Sequence, residues 1–462
     1  MNKVYVHHLK AEHQSESFRE FRPLSAAMKE ALVAGVKEIF DKAGGASLLK
    51  SSGDVYIKPN AIDAKPYCYT RPELIEALIS YWKKAGAKRI YFFENSTQSN
   101  LTRIVFKATG YTDICRRSGA IPVYLDEGEN VLFGFKGKDD YEHSTFEMPR
   151  FIADNLIRDK EKNLYITVPK LKTHSMAGLT LGVKNQWAFP RQNDRRHDHN
   201  FNLANKLVDV LSYLQPDFTL IEGVEGTIYG HYPVLKLADK CIIPFRLLIG
   251  SANVLASDLT GMKVFGLSIE DVPHLKLAIE AGYGGDIKTV SDIDKIEIDG
   301  DISMFNTSYP AELYDSYPPD VRLVKGKTRL CKQGCLNNPL TLLQVLYNDF
   351  GGKGGWTLVM GKGHDPAELD SITGRVLIAG DCAITETGER LEKRLGRKNV
   401  YYSHFCNDLC ASLTAMCHLM KVNPTDMVPL SSAKLIPAYI SAKLNGSKGN
   451  IPNPLAHIIK LV

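Results

Sequence analysis

Residues 168–199 read VPKLKTHSMAGLTLGVKNQWAFPRQNDRRHDH, and this stretch decides how the chain is organised. It follows the apolar run Leu164-Tyr165-Ile166-Thr167-Val168, which reads as a buried strand ended by Pro169. Three lysines (Lys170, Lys172, Lys184), His174 and Asn185 come within the next positions, with Gly178 and Gly182 among them. Open α/β sheets bind their ligands just past the carboxyl ends of strands. The interleaved Leu171, Met176, Leu179, Leu181 and Val183 require the segment to pack, so it is more than a solvated basic loop. His174, Lys172 and Lys184 are therefore expected to be catalytic.

The string PKLKTHSMAGLTLGVKN resembles the signature of the DUF362 family, and so do IKPN at 57–60, the Glu222-Gly223 pair and SANVLASD ending at Asp258. The likeness spans roughly residues 52 to 290. It implies an α/β fold and a ligand site more than a reaction, because the family's chemistry is largely unassigned. It places Lys58, Asn60, Lys170, Asn185, Glu222 and Asp258 with the substrate. A second segment, His174-x-x-Ala177-Gly178 with Lys184, is similar to nickel-dependent lactate racemases. That likeness implies an acid/base histidine, although the glycine run before the racemase lysine is absent here.

Working outward, the apolar pattern alternates strand and helix. Residues 4–6 read as a short strand and 24–43 as a helix stopped by Gly44-Gly45. Residues 54–57 form a strand leading into Lys58-Pro59-Asn60. Thr70 is the expected N-cap of a helix running to about Lys84. Strands follow near 89–93 and 122–125, then 218–221 and 247–251, with Glu222 to Gly226 read as a turn and Asp258 in a first helical turn. This rhythm predicts a doubly wound, mostly parallel sheet. Residues 126–160 are polar and irregular. The expected division is a domain over 1–300, a Tyr/Pro-rich connector over 301–325 and a smaller α/β unit over 326–462. In that unit, strands are expected at 356–360, 376–379 and 400–402.

Nine cysteines are unevenly spread, and six of them lie between 331 and 417. Cys331 and Cys335 precede Asn338-Pro339, Cys382 follows a strand, and Cys406 and Cys410 follow the next. Thiols at neighbouring strand ends can converge on one point, so Cys331, Cys335, Cys382 and Cys406 (or Cys410) are expected to bind a [4Fe–4S] cluster, or alternatively zinc. Asp381 and His404 are expected to stand behind them, and Cys417 to be a small buried hydrophobe. The His197-Asp198-His199 run and His364 are weaker candidates for a metal and an anion.

The formal net charge of +5 is modest for 462 residues, and no basic helix or aromatic-basic repeat points to nucleic acid. No apolar run approaches the ~20 residues of a membrane span. A phosphate loop and a dinucleotide fingerprint are both absent from the sequence. A cytoplasmic protein is expected, without a membrane or nucleic-acid partner. The expected function is an iron–sulfur-dependent enzyme, redox in kind, acting on a small anionic metabolite with a ferredoxin-like electron donor. Two alternatives stand beside it: racemase-like proton transfer, and a cluster- or zinc-carrying electron-transfer or maturation protein without its own substrate.

Overall fold

The computed structural model describes residues 2–11, 17–97, 99–136, 144–198 and 201–460. Its centre is a mixed sheet whose principal strands run in the order Glu297–Asp299, Lys3–His8, Leu247–Ser251, Phe218–Thr227, Leu164–Val168, Asp54–Pro59, Arg89–Glu94 and Ile121–Tyr124. The five strands from Phe218–Thr227 to Ile121–Tyr124 are mutually parallel. Asp54–Pro59, Leu164–Val168 and Phe218–Thr227 are buried at every position. Helices must therefore cover both faces, as in doubly wound sheets. Helix Ala26–Lys42 turns Met28, Leu32, Val36 and Ile39 inward on one face, and Pro72–Lys84 buries Leu74, Ile75, Leu78, Ile79 and Trp82 beside it. Helices Leu203–Tyr213 and Val254–Val264 contribute to the core on the other face.

Connections leave Asp54–Pro59 toward Arg89–Glu94 and Ile121–Tyr124. The chain then crosses back to Leu164–Val168 on the other side. The carboxyl ends of Asp54–Pro59 and Leu164–Val168 thus flank the point where strand order reverses, the usual ligand crevice of such sheets. Thr70 clips these two ends together: its hydroxyl accepts from Asn60 N (3.0 Å) and donates to Val168 O (2.7 Å). It is not the expected N-cap, since Arg71 occupies that position. A buried tertiary contact has taken the hydroxyl.

Two other expectations change. The chain does not leave the sheet after Pro169. Lys170–His174 continues as a strand, paired with Gly178–Thr180 and with Phe218–Thr227. For the same reason Glu222 to Gly226 is strand, not turn: their backbone groups pair with Leu164–Val168's continuation and with Leu247–Ser251. The irregular region holds a hairpin, Asn130–Gly134 against Thr145–Pro149.

A second sheet of four parallel strands follows in the order Arg322–Lys325, Trp356–Met360, Arg375–Ala379, Val400–Ser403. The connector is shorter than expected, because Arg322–Lys325 already forms this sheet's edge. It is also tied to the first unit through Tyr309 N to Phe265 O (2.9 Å) and Tyr229 N to Pro310 O (2.8 Å). The chain's last part returns to the first unit. Helix Ser432–Leu444 joins Thr102–Thr109 in a cluster of Leu101, Ile104, Tyr439 and Ala442, and Ser447 Oγ donates to Asp126 (2.6 Å). Among the described residues, no helix is long and apolar enough to cross a membrane.

Candidate functional site

Four lysines converge on the strand ends, and their surroundings separate them into two kinds. Lys58 is ion-paired with Glu94 at 2.8 Å, and Lys170 with Glu222 at 2.8 Å and Glu225 at 3.3 Å, all fully buried. Arg71 closes the second group by pairing with Glu225. These charges neutralise one another inside the protein. Asp258 is likewise inward-facing: it accepts from Gly182 N (2.7 Å) and Val183 N (2.8 Å), capping the short helix Gly182–Asn185. Burial pushes its carboxyl up to about 7. Lys58, Lys170, Glu222 and Asp258 were expected to contact substrate, but none of them lines the cavity at the strand ends. They are held in buried pairs and a helix cap, and so position the residues that do line it.

That cavity, of about 600 Å³, is lined by the remaining expected residues: Asn60, Lys172, His174, Lys184 and Asn185. Asn185 ties the crevice together. Its Oδ1 accepts from Lys58 Nζ (3.2 Å) and Asn60 Nδ2 (3.1 Å), while its Nδ2 donates to Thr167 Oγ1 (2.8 Å). Lys172 Nζ donates to Cys68 O (2.7 Å). Lys184 has no hydrogen-bond or ion-pair partner among the described residues. Burial pushes the Lys172 ammonium down to about 8. Lys184 falls to about 7, through burial first and then repulsion from Lys172, Arg195 and Lys58. Both amines therefore change charge near neutral pH. His174 Nδ1 accepts from Met176 N (3.1 Å), which leaves Nε2 as the protonated nitrogen of the neutral ring. The ring lies flat on His231, centroids 3.8 Å apart and planes 2° apart.

Several polar atoms on this wall have no protein partner: Asn60 Oδ1, Asn95 Oδ1, Thr180 Oγ1 and Arg195 Nε are buried and unpaired. Buried polar groups are normally satisfied. Orphans gathered round one cavity point to a polar ligand.

The cysteines surround a neighbouring cavity of about 620 Å³. Cys331, Cys335, Cys382 and Cys406 line it together, and Cys410 does not. The four stand at or near the starts of helical turns or in an irregular loop. Cys331 precedes the π-turn Lys332–Leu336, which contains Cys335. Cys382 is the second residue of helix Asp381–Leu395, and Cys406 lies between Phe405 and Asn407, both at positive φ (60° and 72°). Arg329 hydrogen-bonds Cys331 and lies near Cys382 and Cys406. Burial pushes the Cys335 thiol up to about 11, and Cys382 lies in the first turn of helix Asp381–Leu395. Gly380 leaves room beside them, since a Cβ there would sit 3.0 Å from Cys335 Sγ. No three His, Cys, Asp or Glu side chains among the described residues gather closely enough for a single metal ion. The four thiols that share this cavity's lining are a donor set of the kind that either a [4Fe–4S] cluster or zinc takes.

Residues 55–263 match the family model described as Domain of unknown function (DUF362). Over that stretch the chain is similar to the DUF362 family. Over 257 residues it is 26% identical to a thylakoid-associated protein of Synechocystis sp., an alignment covering 53% of this chain and 73% of that protein. A crystal structure of a Thermotoga maritima protein is 10% identical, covers 85% of this chain and 91% of that one, and has a TM-score of 0.34. A likeness that loose carries no argument. The DUF362 match includes every lysine of the first cavity and ends well before Cys331.

Sequence reading passed over Arg195 and His231, which line the first cavity, and His274, which lies near Lys184. Arg195 sits in a polar run that reads as solvated, while His231 and His274 are isolated histidines with no motif around them. His274 is buried with neither ring nitrogen hydrogen-bonded, and burial plus the nearby Lys184 push it down to about 3. The weaker candidates are accounted for differently. Both ring nitrogens of His364 are engaged, by Glu386 (3.1 Å) and Met360 O (3.2 Å). His199 lies outside the described residues, as do the side chains of His197 and Asp198.

Proposed function

We propose that this protein is an iron–sulfur-dependent enzyme that binds a small anionic substrate in the Lys172–His174–Lys184 cavity and reduces it. The supporting observation is that His174 and Met176 line both cavities, forming the wall between the lysines and the four cysteines. A [4Fe–4S] cluster held by Cys331, Cys335, Cys382 and Cys406 would supply electrons one at a time from a ferredoxin-like donor. The chain's own part is binding and proton delivery. Lys172 and Lys184 in their ammonium forms attract the anion and Asn60 and Asn185 orient it. His174, on the wall shared by the two cavities, would deliver a proton to the reduced substrate from its protonated form. Nine free cysteines suit a reducing, cytoplasmic setting.

A second reading is proton transfer without redox, as in a racemase. It is favoured by Lys184, an unpartnered amine brought down to about 7 and thus able to act as a base at neutral pH. Anaerobic purification with iron and sulfide analysis separates the two. About four irons and four sulfides per chain, with a visible band bleached by dithionite, support the reductase. A colourless, iron-free protein after anaerobic reconstitution removes it and leaves the proton-transfer reading.

A further inference from the structure

The first cavity has two chemically different ends, contributed by different parts of the chain. Its floor comes from the first unit and carries Lys172, Lys184, Arg195, His174, Asn60 and Asn185. The acids there are already engaged. Glu94 pairs with Lys58, and Asp63 accepts from Ala64 N, Lys65 N and Asn100 Nδ2. Its outer wall comes from the second unit and the returning C-terminal segment: Leu342, Leu413, Met427, Val428, Ile436 and Ile451. A small polar metabolite would occupy only the floor and leave this apolar wall wet. From this segregation, and resting on the reading of the floor as the substrate site, we propose that the ligand is an amphiphile. Its carboxylate or phosphate head lies on the lysine floor, and an apolar tail runs along the C-terminal wall.

Calorimetric titration of the anaerobically purified full chain tests this, using acetate, octanoate, dodecanoate, dodecyl phosphate and dodecanol below their micellar concentrations. Affinity is expected to rise roughly tenfold for every two methylenes added. It should fall at least tenfold in Lys184→Met, and dodecanol should bind far more weakly than dodecanoate. The exposed-side change Ile436→Asp should flatten the chain-length dependence. The comparison of dodecanoate with dodecyl phosphate decides the head. If acetate and dodecanoate bind equally and both depend on Lys184, the tail is overturned while the anion site stands. If no anion binds at all, the anion site fails and the amphiphile with it. Dodecanol binding as tightly as dodecanoate overturns the head.

A different observation carries a second inference. From Met427 onward the chain has no Asp or Glu; Lys434 and Lys443 lie on helix Ser432–Leu444 and Lys448 just past it, while Lys460 is held by Arg397 O and Val400 O (both 2.8 Å). Helix Ser432–Leu444 buries only Ala442. It leaves Ile440 and Leu444 exposed at 49% and 83%, and their spacing of four puts them on one face. An apolar stripe with lysines beside it and no acids matches an anionic lipid surface in both polarity and charge. We infer that this helix lies on such a surface, which is distinct from spanning a membrane.

Co-sedimentation with vesicles of phosphatidylcholine, with and without phosphatidylglycerol, tests the surface. The full chain should pellet with the mixed vesicles only and be released by salt. The double variant Ile440→Glu, Leu444→Glu should pellet at least tenfold less. Equal pelleting of the variant, or none by the native chain, overturns the inference. So does a concentration-dependent doubling of mass that the variant abolishes, which would make a second copy the occupant.

Discussion

The ammonium of Lys58 is ion-paired with Glu94 at 2.8 Å where neither side chain reaches solvent. The pair lies at the reversal point of the sheet, and Asn185 joins it through Lys58 Nζ. A charge this deep is tolerated only with its partner. Glu94→Gln should therefore destabilise the chain by about 3–5 kcal/mol in urea denaturation, because it leaves Lys58 uncompensated. Lys58→Met combined with Glu94→Leu should recover most of that loss. If Glu94→Gln costs no more than an exposed surface change, the pair is not buried as described.

Lys184 is the opposite case, an amine with no partner. Its native pKa of about 7 lies below its ordinary 10.5. As pH falls from above 10 toward 7, the unfolded chain takes up a proton that the native chain does not, so stability declines over that window and levels off below about 7. Lys184→Met removes this penalty. The variant should melt several degrees higher than the native chain at pH 7, with the gain shrinking toward pH 10. Equal melting at both pH values would mean that Lys184 is paired or well hydrated.

The same two lysines set the pH dependence of ligand binding. An anion on the floor raises their pKa values above the free-state values of about 8 for Lys172 and about 7 for Lys184. Affinity for octanoate should be full below about pH 7 and fall as pH rises through the bound-state values. Calorimetry between pH 6 and about 9.5 reads this directly. An affinity that is flat across that range would remove the lysines from the binding step.

How far the sequence carried this reading depends on the element. Strand-helix alternation gave the doubly wound sheet, because strands such as Leu164–Val168 are apolar at nearly every position. It lost the strand Lys170–His174, because a lysine-rich strand looks like a loop until its ion pairs are known. Arg322–Lys325 was lost because four residues at a sheet edge, with Arg and Lys at the ends, carry almost no pattern. The motif lysines were visible as a group, but their division was not. Lys170 meets Glu222 and Glu225 across more than fifty residues of sequence. The apolar cavity wall was also hidden, since it forms only when Ser432–Leu444 returns to the first unit.

The last prediction concerns the four cysteines. The sequence favours Cys406 over Cys410 because it stands nearer the strand end, and of the two only Cys406 lines the cavity. Cys406 is held between two left-handed residues at the cavity wall. Cys410 sits in the first turn of helix Leu409–Met420, whose N-terminus Asp408 caps, and does not line that cavity. Serine at Cys331, Cys335, Cys382 or Cys406 should each cut bound iron severely in anaerobically reconstituted protein. Cys410→Ser and Cys417→Ser should retain it, at most losing stability as buried polar substitutions do. Circular dichroism on each variant separates lost iron from lost fold. Should Cys410→Ser lose iron while Cys406→Ser keeps it, the ligand set is wrong at its fourth member. Should all six retain iron equally, the cavity does not hold the cluster, and the reductase reading goes with it.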